Sequence, residues 1–342
     1  MAFFAPDIGI DLGTSNTVVY VRGRGIVISE PTMVVVDSGN KRSVRAVGDD
    51  AKFLLGRTSD ALTVVRPIRG GSIADFDMTE MVLRYFMRKA IGVSHVVKPK
   101  VVVSIPAGLP AVARKAVSEA AEIAGAKTVY LIEKSFAAAI GSGLPVYEPV
   151  GSMVVDIGGG TTDVAVVSLG GLVVAQSVQV GGVKMDEAII NYIKREFNML
   201  IGDRTAEEVK LDLGSALPLH GERRARIRGR DMVTNLPQTT EITSTQIYEA
   251  IQEPCQAILR AIKWVLERTP PELAADVMHH GIYLTGGGSL LYGMDQMIAS
   301  ELGIPVLLSK EPTDCAALGL GNIIENYDLL QHLGRNSFLH EF

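Results

Sequence analysis

The chain has 342 residues, 47% of them hydrophobic and 21% charged, with 33 Lys and Arg against 38 Asp and Glu. This balance excludes a wholly disordered chain, and the formal charge of −5 removes the global basic field that would point to nucleic acid as a partner. At roughly 150 residues per domain the length predicts about two domains, enough to bury a core without disulfides or metals. Glycine is in excess, at 35 residues, against a usual level of about 7%. The two cysteines, Cys255 and Cys315, form no CxxC, which fits a reducing cytoplasm better than a disulfide framework or zinc site. Met1–Pro6 lacks the basic segment of a secretory signal. No apolar run of 18 or more residues is free of charges and prolines, so no membrane span is expected.

In chain order, Ile8–Leu12, Val18–Val21, Ile26–Ile28 and Met33–Val36 are β-branched runs separated by glycine or polar turns, which predicts an antiparallel meander. Met78–Ala90 carries apolar residues at helical spacing. Val101–Ile105 is a strand ended by Pro106, and Pro110–Ala124 is a helix with Pro at its start, where a missing N–H costs nothing. Strand Val129–Ile132 runs into the Ala-rich helix Phe136–Ile140. A second meander follows at Met153–Ile157, Asp163–Ser168 and Leu172–Ser177. Helices are expected at Met185–Phe197 and Ala206–Leu213, and a polar strand pair at Ile227–Ile242. Thr245–Arg268 is a long helix with Ser244 or Thr245 as cap. Strand Gly281–Thr285, helix Gly293–Leu302, strand Pro305–Leu307 and helix Cys315–Glu325 complete an α/β pattern.

The glycine excess concentrates in an internal echo. Ile8-Gly9-Ile10-Asp11-Leu12-Gly13-Thr14 parallels Met153-Val154-Val155-Asp156-Ile157-Gly158-Gly159-Gly160-Thr161, each an apolar strand ending in Asp, glycine and hydroxyl residues before another strand. Either copy alone is equally a tight β-turn, but two in matching context point to duplication of a phosphate-binding hairpin. Glycines let backbone N–H groups approach an anion closely, and Thr14, Ser15, Thr161 and Thr162 add hydroxyl donors. Asp11 and Asp156 would repel phosphate directly; they make sense as partners, through water, of a Mg²⁺. Leu284-Thr285-Gly286-Gly287-Gly288-Ser289 is a third glycine turn, read as nucleotide-contacting. Neither Walker A nor GxGxxG is present, which removes the P-loop and dinucleotide readings.

This constellation resembles the actin, Hsp70 and sugar-kinase superfamily. Within it the chain is similar to the MreB/Mbl-type bacterial actins, over almost its whole length. The resemblance rests on Gly9–Thr17, Arg66–Phe76, Met153–Val166, Arg228–Asp231 and Leu284–Met294. It implies an actin-like, duplicated ribonuclease H-like α/β fold, with two lobes around a nucleotide cleft and a smaller insert in each. Lobe I would take residues 1–141 plus 316–342, with its insert near 33–75. Lobe II would take 142–315, with its insert near 182–243. It also implies ATP and Mg²⁺ as cofactors, head-to-tail self-assembly into filaments, and a cytoplasmic location at the inner face of the cell membrane. The work would be organising the cell-wall elongation machinery to set rod shape. A small-molecule kinase or an Hsp70-like ATPase is the alternative.

Carried over by position, Gly13, Thr14, Ser15 and Asn16 would line one side of the phosphates, and Gly158, Gly159, Gly160 and Thr161 the other. Gly286, Gly287 and Gly288 would approach the adenosine, as would Glu207 and Lys210, unless those two form only a solvated ion pair. Asp163 falls where the family has Glu and Hsp70 has Asp, and would orient water or a cation. One departure is informative. The family pattern Glu-Glu-Pro-x-Ala-Ala-Ala-Ile-Gly reads here Glu133-Lys134-Ser135-Phe136-Ala137-Ala138-Ala139-Ile140-Gly141, so Lys134 occupies the place of the Glu that positions the attacking water. An ammonium has donors and no acceptor. The expectation is ATP binding with weak hydrolysis and Lys134 paired to the γ-phosphate; Glu133 would take over only if the helix begins after it.

For the membrane, Phe3 and Phe4 at the N-terminus and Val96 and Val97 in the family's hydrophobic-loop position are the candidates, with Lys98 and Lys100 favouring anionic lipid; half-buried valines are the plain alternative. Arg224, Arg226, Arg228 and Arg230 share one face of a strand, expected as a guarded edge or a subunit contact. His279 and His280 are expected in a loop, and Trp264 in the core.

Overall fold

The computed structural model describes residues 6–57, 59–92, 98–326 and 340–341. Two sheets organise it. The first opens with β1 (Ile8–Leu12), β2 (Asn16–Val21) and β3 (Gly25–Pro31) in antiparallel succession. A small insert follows, made of β4 (Val34–Asp37), β5 (Asn40–Val47), helix α1 (Asp49–Leu54) and β6 (Leu62–Val65). The short pair β7 (Ile68–Arg69) and β8 (Ser72–Ile73) leads to α2 (Phe76–Ile91), β9 (Lys100–Ile105), α3 (Ala111–Ala124), β10 (Thr128–Glu133) and α4 (Lys134–Gly141). β9 pairs parallel with β1 and β10 parallel with β9, and residues 340–341 add a last antiparallel strand beside β10. The α2 helix forms because Asp75 caps it, accepting from Met78 N, and because Met78, Val82, Leu83 and Phe86 fall on one buried face.

The second sheet repeats the plan. Strands β11 (Ser152–Ile157), β12 (Thr162–Ser168) and β13 (Gly171–Val178) form the antiparallel meander. A second insert region runs from α5 (Gly182–Phe197) through β14 (Met199–Leu200), α6 (Asp203–Leu213), β15 (Arg224–Asp231) and β16 (Pro237–Thr243). Then come α7 (Ser244–Arg268), α8 (Pro271–His280), β17 (Ile282–Thr285), a 3₁₀ turn at Gly287–Leu290, α9 (Met294–Leu302), β18 (Val306–Leu308) and α10 (Cys315–Glu325). The two sheets have the same order, β3-β2-β1-β9-β10 in one and β13-β12-β11-β17-β18 in the other. Every residue of β11 and β12 is buried, as expected of near-continuous apolar strands covered on both faces.

Between the sheets, α4 and α10 cross with no room for side chains. A Cβ on Gly141 would lie 1.8 Å from Cys315 O, and one on Gly319 would lie 1.8 Å from Ala137 O. Their small residues join Val102 and Ile132 of the first sheet to Val154 and Ala165 of the second in one buried cluster. The two sheets are therefore packed into one body through backbone-to-backbone contact at this crossing.

The structure corrects several expectations. His279 and His280 end helix α8, which Pro270 and Pro271 initiate; the short Ala-Ala-containing run was too brief to show a period. Helix α7 is capped by Thr243, which accepts from Gln246 N while the Gln246 side chain accepts from Thr243 N, so the capping box lies one residue before the expected cap. Strand β15 is the centre of a three-stranded sheet and not its edge. Its arginines face solvent, and Arg224 pairs with Glu222 and Glu241. Trp264 is only partly buried, with the Arg268 guanidinium 4.0 Å from its ring centre.

Candidate functional site: an interlobe cleft

The turn of each meander closes in the same way. Gly13 N donates to Asn16 O at 3.1 Å, and Gly158 N donates to Thr161 O at 2.8 Å. Asp11 lies opposite Val18, and Asp156 opposite Asp163. The turns then meet across the interface. A Cβ on Gly159 would lie 2.0 Å from Ser15 Oγ and 2.7 Å from Ser15 Cβ; one on Gly160 would lie 2.2 Å from Thr14 Oγ1 and 2.5 Å from its Cβ. Glycine at these positions is required by the opposite lobe. Gly71 N donates to Thr14 Oγ1 at 3.2 Å. Behind the second turn, Gly182 N and Val183 N, at the start of α5, donate to Gly158 O and Gly159 O.

A cleft of about 570 Å³ opens at this junction. It brings together the residues singled out from the sequence: Asp11, Gly13, Thr14, Ser15, Asn16, Lys134, Asp156, Gly158, Gly159, Gly160, Thr161, Glu207, Lys210, Gly286, Gly287 and Gly288. Gly286, at φ 78°, turns the chain out of β17 where a Cβ would meet Ile157 O at 2.4 Å. Phe3, Phe4, Val96 and Val97 lie outside the described residues.

Charge in the cleft is arranged around Lys134. Its Nζ lies 3.1 Å from Asp156 Oδ2 and 3.4 Å from Asp11 Oδ2. The remaining carboxylate oxygens are held by hydroxyls: Ser104 Oγ donates to Asp11 Oδ1 at 2.5 Å and Thr285 Oγ1 to Asp156 Oδ1 at 3.0 Å. Burial alone would lower the Lys134 pKa, but Asp11, Asp156 and Asp163 outweigh it and hold the ammonium above its usual range. Asp163 lies behind the second turn, fully buried and outside the cleft lining. Thr161 Oγ1 donates to its Oδ2 at 2.8 Å and Ala107 N, from the other lobe, to its Oδ1 at 3.4 Å. Burial, then the Asp156 charge, pushes its carboxyl up to about 6 against the pull of Lys134, Ser177 and Thr161.

Glu133 is the last residue of β10 and caps α4 in an extended conformation, so it and Lys134 straddle a strand–helix junction. Lys134 lines the cleft and Glu133 does not. Two carboxylates suit a hard divalent cation. Here the oxygens that would face it, Asp11 Oδ2 and Asp156 Oδ2, face the Lys134 ammonium instead, and the described residues hold no cluster of three or more metal-ligating side chains. The residues present do not fit a magnesium ion bound directly between these two aspartates, and the oxygens through which water would link them to one face the ammonium.

Glu207 and Lys210 do not pair with each other. Lys210 Nζ bonds Asp186 Oδ1 at 2.7 Å and donates to Gly182 O at 3.0 Å, with only 14% of its side chain exposed. Burial raises the Asp186 pKa, with Lys210 opposing. Glu207 reaches Lys52 of the first insert at 3.5 Å, and Arg66 reaches Asp203 at 3.8 Å, so ion pairs span the cleft mouth. Sequence reasoning passed over Ser104, Thr285, Asp186 and Lys52. Ser104 and Thr285 had a signal, a lone hydroxyl at the end of an apolar strand; Asp186 and Lys52 had none.

Two lobes of one topology, each giving a glycine hairpin to a shared cleft, define an actin-like protein. The MreB/Mbl protein family matches residues 5–332, and the chain belongs to that family. It is 47% identical over 327 residues to the cell shape-determining protein Mbl of Bacillus cereus (strain ATCC 10987 / NRS 248), covering 96% of this chain and 98% of that one. It is equally 47% identical over 330 residues to the cell shape-determining protein MreB of Escherichia coli (strain K12), covering 95% of each. The crystal structure of MreB5 of Spiroplasma citri bound to ADP superposes with a TM-score of 0.90 at 32% identity, over 97% of this chain and 99% of that one; the same protein bound to AMPPNP gives 0.89 at 33%, with the same coverage.

Proposed function

We propose that this protein binds ATP in the interlobe cleft, polymerises head to tail into filaments at the inner face of the cell membrane, and organises cell-wall elongation to set rod shape. The observation that carries the reading is the interlocked pair of turns, Thr14 and Ser15 against Gly160 and Gly159, which closes a two-lobed cleft over a glycine-lined phosphate site. The adenine nucleotides held by MreB5 and the cell-shape role named for Mbl and MreB support it. Nucleotide-linked closure of the lobes would bring subunits to the shape that stacks into an open filament.

Hydrolysis is slow in this reading, because Lys134 supplies no acceptor where the family's glutamate positions water. Concentration-dependent pelleting with ATP tests the polymer; a protein that stays monomeric at every concentration, on lipid too, removes the filament reading. Phosphate release tests hydrolysis: Lys134→Glu should raise turnover by about 10²-fold, the low end of general-base contributions. Equal rates would remove the hydrolysis claim. Liposome co-sedimentation of a Phe3, Phe4, Val96, Val97 to Ser variant tests the membrane element, and unchanged binding would reject it.

A further inference from the structure

We propose that Lys134 is the resident cation of the phosphate site, so that nucleotide binds this protein with little dependence on a divalent metal ion. The inference rests on the nucleotide-binding reading above and goes beyond it.

The carboxylates of Asp11 and Asp156 come from equivalent positions of the two hairpins, one from each lobe. Both are buried, and each has one oxygen held by a hydroxyl. The two remaining oxygens converge on one point, which Lys134 Nζ occupies at 3.1 and 3.4 Å. Two buried carboxylates facing each other without a counter-charge would be strongly unfavourable; a shared proton or a cation relieves this, and here a cation sits between them. Here it is covalently part of the chain, at the first residue of α4, and is itself nearly buried. A divalent ion bound directly would have to displace the ammonium from these oxygens, and one held through water would compete with it for the same two oxygens.

An ammonium carries three N–H donors. Its ion-pair partners are the two aspartates, and among the described residues no third carboxylate lies within 4.0 Å of Nζ. Nζ also lies 3.7 Å from where a Cβ on Gly158 would stand, which places it against the glycine turn. The third N–H is therefore free for an oxygen of a phosphate seated on that turn. One tethered charge thus performs both tasks of a bound metal ion, neutralising the carboxylates and meeting the phosphate, without a loosely held ion to lose.

The test compares ATP and ADP affinity, by titration calorimetry on the full chain, in magnesium and in EDTA. Wild type should change by no more than about threefold, whereas Lys134→Met should bind poorly in EDTA and regain at least about tenfold with magnesium. Magnesium alone, without nucleotide, should raise the melting temperature of Lys134→Met and leave wild type unmoved. Wild type that binds nucleotide in magnesium but loses more than about tenfold in EDTA overturns the lysine assignment and leaves the nucleotide reading intact. No binding in either condition overturns both. Should Lys134→Met fail to fold, the wild-type pair of titrations decides by itself.

Discussion

At equivalent backbone positions the first hairpin carries Thr14 and Ser15, and the second carries Gly159 and Gly160. The turns close with the same i to i+3 hydrogen bond, and the facing strands keep the same register, Asp11 opposite Val18 and Asp156 opposite Asp163. Yet one copy supplies volume and the other removes it. Thr14 packs on Gly160 and Ser15 on Gly159, in the reversed order that a two-fold relation between lobes demands. Side chains on both turns would hold the lobes apart; glycine on both would leave the junction unfilled. The difference teaches that duplication supplied the frame, and that divergence between the copies produced the fit. The same divergence placed a buried valine at position 18 and a buried carboxyl at 163.

The comparison can be broken most severely at that last pair. Val18→Asp makes the two strands alike, but Val18 is buried directly opposite Asp11, so the new carboxylate would face an existing one with no counter-charge of its own. The variant should lose about 3–5 kcal/mol in urea unfolding, the cost of an uncompensated buried charge. A loss below about 1 kcal/mol would mean that the two positions are interchangeable.

A smaller break is Gly159→Ala, which places a Cβ against Ser15 Cβ, an atom that cannot rotate away. Overpacking of about 1–3 kcal/mol should weaken ATP binding roughly 5- to 150-fold by forcing the lobes apart. Adding Ser15→Gly should restore most of it, because the volume then simply changes sides. A double variant no better than the single one would show that the clash is not across the lobes.

The smallest expected effect sharpens the picture at the cleft mouth. Glu207→Gln removes a half-exposed pair with Lys52 and should cost about 0–1 kcal/mol. Lys210→Met removes a nearly buried partner of Asp186 and should cost clearly more by the same unfolding measurement.

Much of this was legible in the residues. The meanders, the three glycine turns and the repeated strand-Asp-x-Gly pattern are local, since a strand's alternation and a turn's glycines act over a few residues. The α8 helix and the cap of α7 were not, because ten residues with little periodicity and three adjacent hydroxyl residues leave the boundary to packing. Lys134 stood out as a departure, but its partners did not. Asp11 and Asp156 are more than a hundred positions from it or on another lobe's strand, and the sequence offered only a phosphate as its counter-ion.

What the chain by itself determined is the duplicated frame: two hairpins with an aspartate before each glycine turn, and a lysine at the head of the alanine helix. What tertiary structure alone decided is which atoms of the copies meet. Thr14 against Gly160, Ser104 and Thr285 on the two aspartates, and the ammonium of Lys134 between them are contacts across sheets and lobes. Such contacts depend on how the lobes dock through the α4–α10 crossing, and burial there converts ordinary surface charges into partners that must be matched.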